Sequence, residues 1–228
     1  MEYKTFLFDL IIQRRYEDFE VAKPNQELWR TAFENAEPFI EYYFTHESYQ
    51  DYPVVNVSRE AAELYANWLI SEARKIDVKE KLRFVESARL PRYNEWMLAA
   101  SNYGKNKVYP WKGSGVKNSS KKLNGALLAN FKRIDSSFQR RDGNYIGTEI
   151  TTPVNSYWPN EQGIYNMAGN VAEIVQYEDG EFGSKGGSWK SSAEEIRIDA
   201  PDYTKGNLQA SPTLGFRIVL EWQLKRKN

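Results

Sequence analysis

The chain of 228 residues contains no cysteine. Thiol catalysis, disulfides, zinc–thiolate sites and iron–sulfur clusters are therefore all outside its chemistry. The same absence leaves the cellular compartment open, since a protein outside the cytoplasm can do without disulfides. A single histidine, His46, is present. It excludes a three-histidine metal site and a two-histidine facial triad, and makes His46 the sole imidazole available to a catalytic triad. An excess of either charge is also missing, with 31 Lys and Arg against 31 Asp and Glu, so neither nucleic acid nor an anionic membrane is an expected partner. The apolar run FLFDLII (6–12) contains Asp9 and is far too short to span a bilayer. It does not read as a signal peptide, and any export signal or lipid anchor is expected to have been removed or never to have existed. Lys225, Arg226 and Lys227 at the end of the chain read as a solvated terminus.

What the chain has in abundance is aromatic surface: 7 Trp, 15 Tyr and 11 Phe. Such rings bury much area while keeping polar edges, which suits a loop-rich fold. The segment KTFLFDLIIQRRYEDFEV (4–21) mixes a strand-like apolar run with charge. Residues 25–43 show helical spacing at Leu28, Trp29, Phe33 and Ile40, interrupted at Pro38. DYPVVNVS (51–58) is an extended piece, and its Ser58 can cap a helix over 59–74 that lines up Ala61, Leu64, Tyr65, Trp68 and Leu69. A short helix over 94–100 is expected to bury Trp96 and Leu98. From Ser101 to Ser156 the periodicity dissolves into Gly, Asn and Lys with aromatic anchors, a length of loop that is uncommon unless functional or pinned. YNMAGNVAEIVQY reads as a turn and a strand, and GSKGGSW, IRIDAPDY and GFRIVLEW as further strands. Helices first and strands last make an α+β domain, expected to occupy residues 1–228 as one unit.

The stretch KGGSWKSS (185–192) invites three chemical readings. A phosphate loop requires glycine directly before its lysine and a helix after it; here Trp189 precedes Lys190 and would block the close approach of phosphates. Ser188 or Ser191 as a nucleophile needs a positioned base, which would have to be Lys185, Lys190 or a carboxylate. The third reading is packing. Elsewhere, Asn130 with Asp142, Gly143 and Asn144 offers oxygens to a hard cation, as do Asn166, Asn170 and Glu173. On composition alone, Asn and Asp beside Gly more often make turns. The aromatic stripes around Trp68 and Trp96 read as core.

Five segments in order, YPVVNVSREAAELYANWL, RLPRYNEWMLAA, PVNSYWPNEQGIYNMAGNVAEIV, KGGSW and LGFRIV, resemble the blocks of the formylglycine-generating enzyme, or sulfatase-modifying-factor, family. The resemblance runs from about Tyr52 to the C-terminus, with residues 1–50 a diverged or truncated N-terminal part. It implies a compact C-type-lectin-like α+β fold with much irregular loop and structural calcium. The first family calcium set falls on Asn130, the Phe131 carbonyl, Asp142 and a carbonyl near Asn144 or Tyr145. The second falls on Asn170, the Val171 carbonyl and Glu173.

The family's oxidase chemistry does not carry over. Its two copper-binding cysteines fall on Ser191 and Ile196, and neither a hydroxyl nor a hydrocarbon replaces a thiolate toward copper(I), so no copper is expected. Ser188 alone matches the active-site set. The family's tryptophans after Gly-Asn-Val fall on Ala172 and on Val175 or a neighbour, and the histidines of iron-using branches are absent. The segment YYFTHESYQDYPVVNVS is similar to one in the gliding-motility and type IX secretion lipoproteins of Bacteroidetes, which use this fold without its cysteines. The resemblance thus implies a non-catalytic binding or scaffold domain, in the periplasm or cell envelope if an export signal was removed, with a protein partner in an envelope complex. Two alternatives stand beside it: an enzyme of another class built on Ser188 and Ser191, and a lectin-like receptor in which Trp111 and Trp158 stack on a glycan.

Overall fold

The computed structural model describes residues 2–80, 83–106, 108–123, 125–132 and 150–224. The strand-like opening is a helix, α1 (Glu2–Ile12), followed by α2 (Tyr16–Ala22). Tyr3, Phe6, Leu7 and Leu10 recur every three or four residues, and that face is buried against Tyr65 and Trp68. Asp9, the charge that breaks the apolar run, accepts the Trp68 indole N–H at 2.8 Å. The helical spacing over 25–43 resolves into a 3₁₀ turn (Gln26–Thr31) and α3 (Glu37–Tyr42). Pro38 stands in the first turn of α3, where its missing N–H has no intrahelical partner to lose.

Helix α4 (Arg59–Glu80) begins as expected: the Ser58 hydroxyl accepts the Ala61 N–H at 3.2 Å. Ala61, Tyr65 and Trp68 are buried, with Leu64 and Leu69 half-buried beside them. Strand β1 (Arg83–Arg89) follows, then α5 (Tyr93–Ala100). Trp96 is buried in α5, but Leu98 is 49% exposed. At 100° per residue the two positions lie about 200° apart, so they cannot both face the core.

Between 101 and 156 the described residues contain no helix or strand beyond a single Lys117–Leu127 bridge. Strand β2 (Ala172–Gln176) then pairs antiparallel with β3 (Phe182–Lys185) and parallel with β4 (Leu214–Gly215), in the order β3-β2-β4. GFRIVLEW is divided between two sheets: Gly215 closes β4, and Val219 opens β5 (Val219–Leu224), which pairs antiparallel with β1. IRIDAPDY is not a strand. Ile196 and Ile198 are buried, yet the segment makes turns, joining the core through the Ile198 N–H to the Val108 carbonyl at 2.9 Å. An alternating pattern fits a turn with two buried anchors as well as a strand, which is why the sequence misleads here.

The aromatic excess is spent in shared clusters. Trp29 packs against Tyr43 with ring centroids 4.8 Å apart, and Phe33 stacks on Trp189 at 5.6 Å and 11°. These rings fasten the N-terminal helices to the glycine-rich turn after β3.

Candidate functional site at the glycine–glycine–serine turn

The turn begins where β3 ends. Gly186 has φ +92° and Gly187 φ +64°, both in the region that disfavours side chains. Space is equally decisive. A Cβ on Gly187 would lie 2.9 Å from the Glu195 carbonyl oxygen and from the Ile196 side chain; one on Gly186 would meet Trp96 at 3.1 Å. Gly187 therefore lets the turn lie directly on residues 195–196, and Gly186 lets it lie against Trp96. Trp189 is buried, with its indole N–H donated to the Pro212 carbonyl at 3.0 Å.

Over this turn opens a groove of about 310 Å³, with Lys185, Ser188, Ser191, Ala172 and Asp202 among its lining. Lys185 is 5% exposed, donates to the Ala200 carbonyl at 2.6 Å and lies 5.8 Å from the Tyr93 ring centre. Burial pushes its ammonium below the ordinary lysine range, against the pull of Asp202 and Asp199. Asp202 is committed to the scaffold. Its carboxylate accepts the Tyr177 hydroxyl at 2.9 Å, the Ser184 N–H at 2.8 Å, and the N–H and hydroxyl of Thr204 at 2.8 and 2.6 Å.

The two serines hold each other. The Ser191 hydroxyl accepts the Ser188 N–H at 3.0 Å, the Ser188 hydroxyl accepts the Lys190 N–H at 3.2 Å, and the hydroxyls are 3.5 Å apart. No carboxylate, amine or imidazole among the described residues is hydrogen-bonded to either hydroxyl. Lys190 instead donates to the Ala32 carbonyl and covers Trp189, and Lys185 is engaged as above. Ile196 is 0% exposed and packs among Tyr109, Ala129, Phe131 and Ala168. At the two positions where the family resemblance puts cysteines, the structure thus has an internally bonded hydroxyl and a core hydrocarbon. Ala172 lines the groove where a tryptophan is expected in relatives, and Val175 is buried beside Trp96.

Of the first calcium set, Asp142 and Asn144 lie outside the described residues, as does Tyr145. Asn130 and Phe131 are both buried. The Asn130 amide donates to the Ile150 carbonyl at 2.9 Å, and its backbone carbonyl accepts the Asn170 N–H at 2.7 Å. Gly169 is required at this contact, since a Cβ there would stand 2.2 Å from the Asn130 oxygen.

The side-chain oxygens of the second set are engaged within the protein. The Asn170 side-chain oxygen accepts from the Thr152 N–H at 2.8 Å, from its hydroxyl at 3.3 Å and from the Asn130 amide at 3.4 Å. The Glu173 carboxylate takes both sides of the Arg217 guanidinium at 2.6 and 3.0 Å, together with the Trp96 indole N–H at 2.9 Å. Each of these side-chain oxygens already has a donor, and the carboxylate's charge is neutralised. The donor set therefore does not fit a cation. Val171 is packed with the aromatic cluster around Trp29.

Sequence reasoning missed the Trp96–Glu173–Arg217 network, although Glu and Arg both stand inside the quoted blocks; nothing local signals a pair 44 residues apart. Trp111 and Trp158, by contrast, share a cleft of about 40 Å³, with Trp111 stacked on Tyr109 at 5.0 Å and Trp158 44% exposed.

Comparison with known proteins agrees with this anatomy. The chain is 29% identical over 177 residues to a Bos taurus protein named inactive C-alpha-formylglycine-generating enzyme 2, covering 73% of this chain and 50% of that one. It is 30% identical over 123 residues to the formylglycine-generating enzyme of Thermomonospora curvata, covering 54% of this chain and 32% of the relative. The chain thus spans half or less of the length of these curated relatives. The structure of PvdO from Pseudomonas aeruginosa superposes with a TM-score of 0.51 at 22% identity, over 75% of this chain and 62% of that one. That likeness shows the fold, the C-type-lectin-like α+β arrangement with small sheets and long loops that the sequence blocks imply. Residues 9–222 match the model of the sulfatase-modifying factor enzyme 1-like domain, and the chain belongs to that family.

Proposed function

We propose that this chain is a non-catalytic member of its family, a binding or scaffold domain whose groove has outlived the reaction. The observation that carries the reading is the pair Ser191 and Ile196. One is a hydroxyl tied to its own turn, the other a side chain with no exposed surface inside the core. A copper(I) site needs two soft ligands on one surface; here one is hard and the other is unreachable. The relative whose name marks it inactive supports the same reading. The test is oxygen uptake and aldehyde formation with a cysteine-containing sulfatase peptide and added copper. Neither is expected, and turnover above the protein-free rate would end the proposal.

The partner is proposed to be a protein of a bacterial envelope complex, with gliding or secretion lipoproteins as related proteins and the periplasm or cell envelope as the location. None of the described helices is long and apolar enough to cross a membrane. Calcium is proposed at the first set, held by Asn130, the Phe131 carbonyl, Asp142 and a carbonyl near Asn144 or Tyr145. Chelation should then lower the melting temperature and added calcium restore it. A lectin-like reading keeps one observation in its favour, the shared cleft of Trp111 and Trp158. Binding on a glycan array that a Trp158→Ala variant abolishes would move it ahead.

A further inference from the structure

Alternation along β2 points Ala172 into the groove and Glu173 to the other face of the strand. There a second cavity opens, about 880 Å³ in volume, and no residue lines both. Its walls come from α1, the extended segment 50–54, α4, the turn at 163–166 and the chain from 216 to 220. Rings of Tyr52, Tyr65 and Phe216 face it. So do three carboxylates, Glu2, Asp51 and Glu173, against one guanidinium, Arg217. Arg217 is spent on Glu173 and on the Tyr165 carbonyl, which leaves Glu2 and Asp51 at the rim without an ion-pair partner among the described residues. Both are exposed. Glu2 accepts the Tyr65 hydroxyl at 3.1 Å, while the Asp51 carboxylate has neither hydrogen bond nor ion pair among the described residues. Burial and then Glu2 hold the Tyr65 phenol well above its ordinary pKa, so it stays neutral beside the carboxylate.

A cavity of this size exceeds what one side chain fills and suits a short peptide segment. Carboxylates at its mouth and aromatic faces on its wall are the two features that attract an ammonium or guanidinium on an apolar stem. We infer that this cavity receives a lysine- or arginine-bearing segment of a partner protein, its positive charge answered by Asp51 and Glu2 and its methylenes by Tyr52 and Phe216. The inference does not depend on the state of the groove.

The probe is the tripeptide Lys-Lys-Lys, titrated calorimetrically into the full chain at low ionic strength with chelator present. Saturable binding is expected, weakened about tenfold or more in a Glu2→Gln, Asp51→Asn double variant and weakened by salt. Because both carboxylates are exposed, the double variant should melt close to the parent, which separates lost affinity from lost folding. Glu194 lines the groove and not this cavity, so Glu194→Lys, which inverts a charge there, should leave the affinity unchanged. The assignment is overturned by an absence of heat at millimolar peptide, by equal affinity in the double variant, or by equal affinity for Glu-Glu-Glu. It is also overturned if Glu194→Lys weakens the peptide as much, which would place it in the groove, or if spermidine binds more tightly than the peptide.

Discussion

Strand β2 separates two regions that have met opposite fates. On one face, the groove keeps its glycines, its serine pair and a packed tryptophan, while the ligands that would react are a hydroxyl and a core isoleucine. On the other, Glu173 is locked by Arg217 and Trp96 beneath an acidic, aromatic cavity. The difference teaches that the groove's architecture and its chemistry rest on different residues. The architecture depends on backbone conformation and close approach, which survive when a thiol is exchanged for something else. The network behind it depends on charge, and charge tolerates no such exchange.

The largest effect should therefore come from the Glu173 side. Glu173→Ala leaves the Arg217 guanidinium without its counter-charge and the Trp96 N–H without an acceptor. Breaking a buried pair from one end costs about 3–5 kcal/mol, with the lower figure apt here because the Arg217 side chain is 33% exposed. In a chain of this size that is a loss of roughly 6–12 °C in thermal midpoint. A variant that melts with the parent would remove the contrast between the two faces.

An intermediate effect belongs to the groove's scaffold. Gly187→Ala forces a side chain to φ +64° and sets its Cβ 2.9 Å from the Glu195 oxygen. Strain of this kind costs about 1–3 kcal/mol. Gly163→Ala is the matched control: φ is +80° but nothing lies within 4 Å of the added carbon, so only the backbone penalty of about 1–2 kcal/mol remains. If thermal melting shows equal losses, close packing of the turn on residues 195–196 is not what preserves the groove.

How far the sequence foretold these regions follows from the range of the forces involved. The Ser58 cap, the α4 stripe and the β2 strand are local patterns, and each was legible. The helix α1 was not, because exposed Phe8, Ile11 and Ile12 blur the three-to-four spacing of its buried residues. Leu98 was misplaced by assigning two residues of one short helix to the same face. The serine turn was visible as a motif, and its lost thiols as a substitution, because both lie within eleven residues of sequence. The Glu173–Arg217 pair and the cavity above it were invisible, since they join α1, residue 51, β2 and the chain after β4. No local spacing encodes such a meeting.

The smallest effect is the most direct probe of the groove. In Ser191→Ala the Ser188 N–H loses its acceptor at 3.0 Å, and because Ser191 is half-open to the groove water can replace the hydroxyl in part. The expected loss is about 1 kcal/mol, near 2–4 °C. Ser191→Cys returns one of the two family ligands at that position, with a poorer acceptor for the Ser188 N–H. It should still show no copper-dependent oxygen uptake, because the second position is filled by Ile196 in the core. Uptake by that single variant would mean that one thiolate suffices on this scaffold. The groove would then be separated from activity by one side chain rather than by the two on which the contrast between the faces of β2 rests.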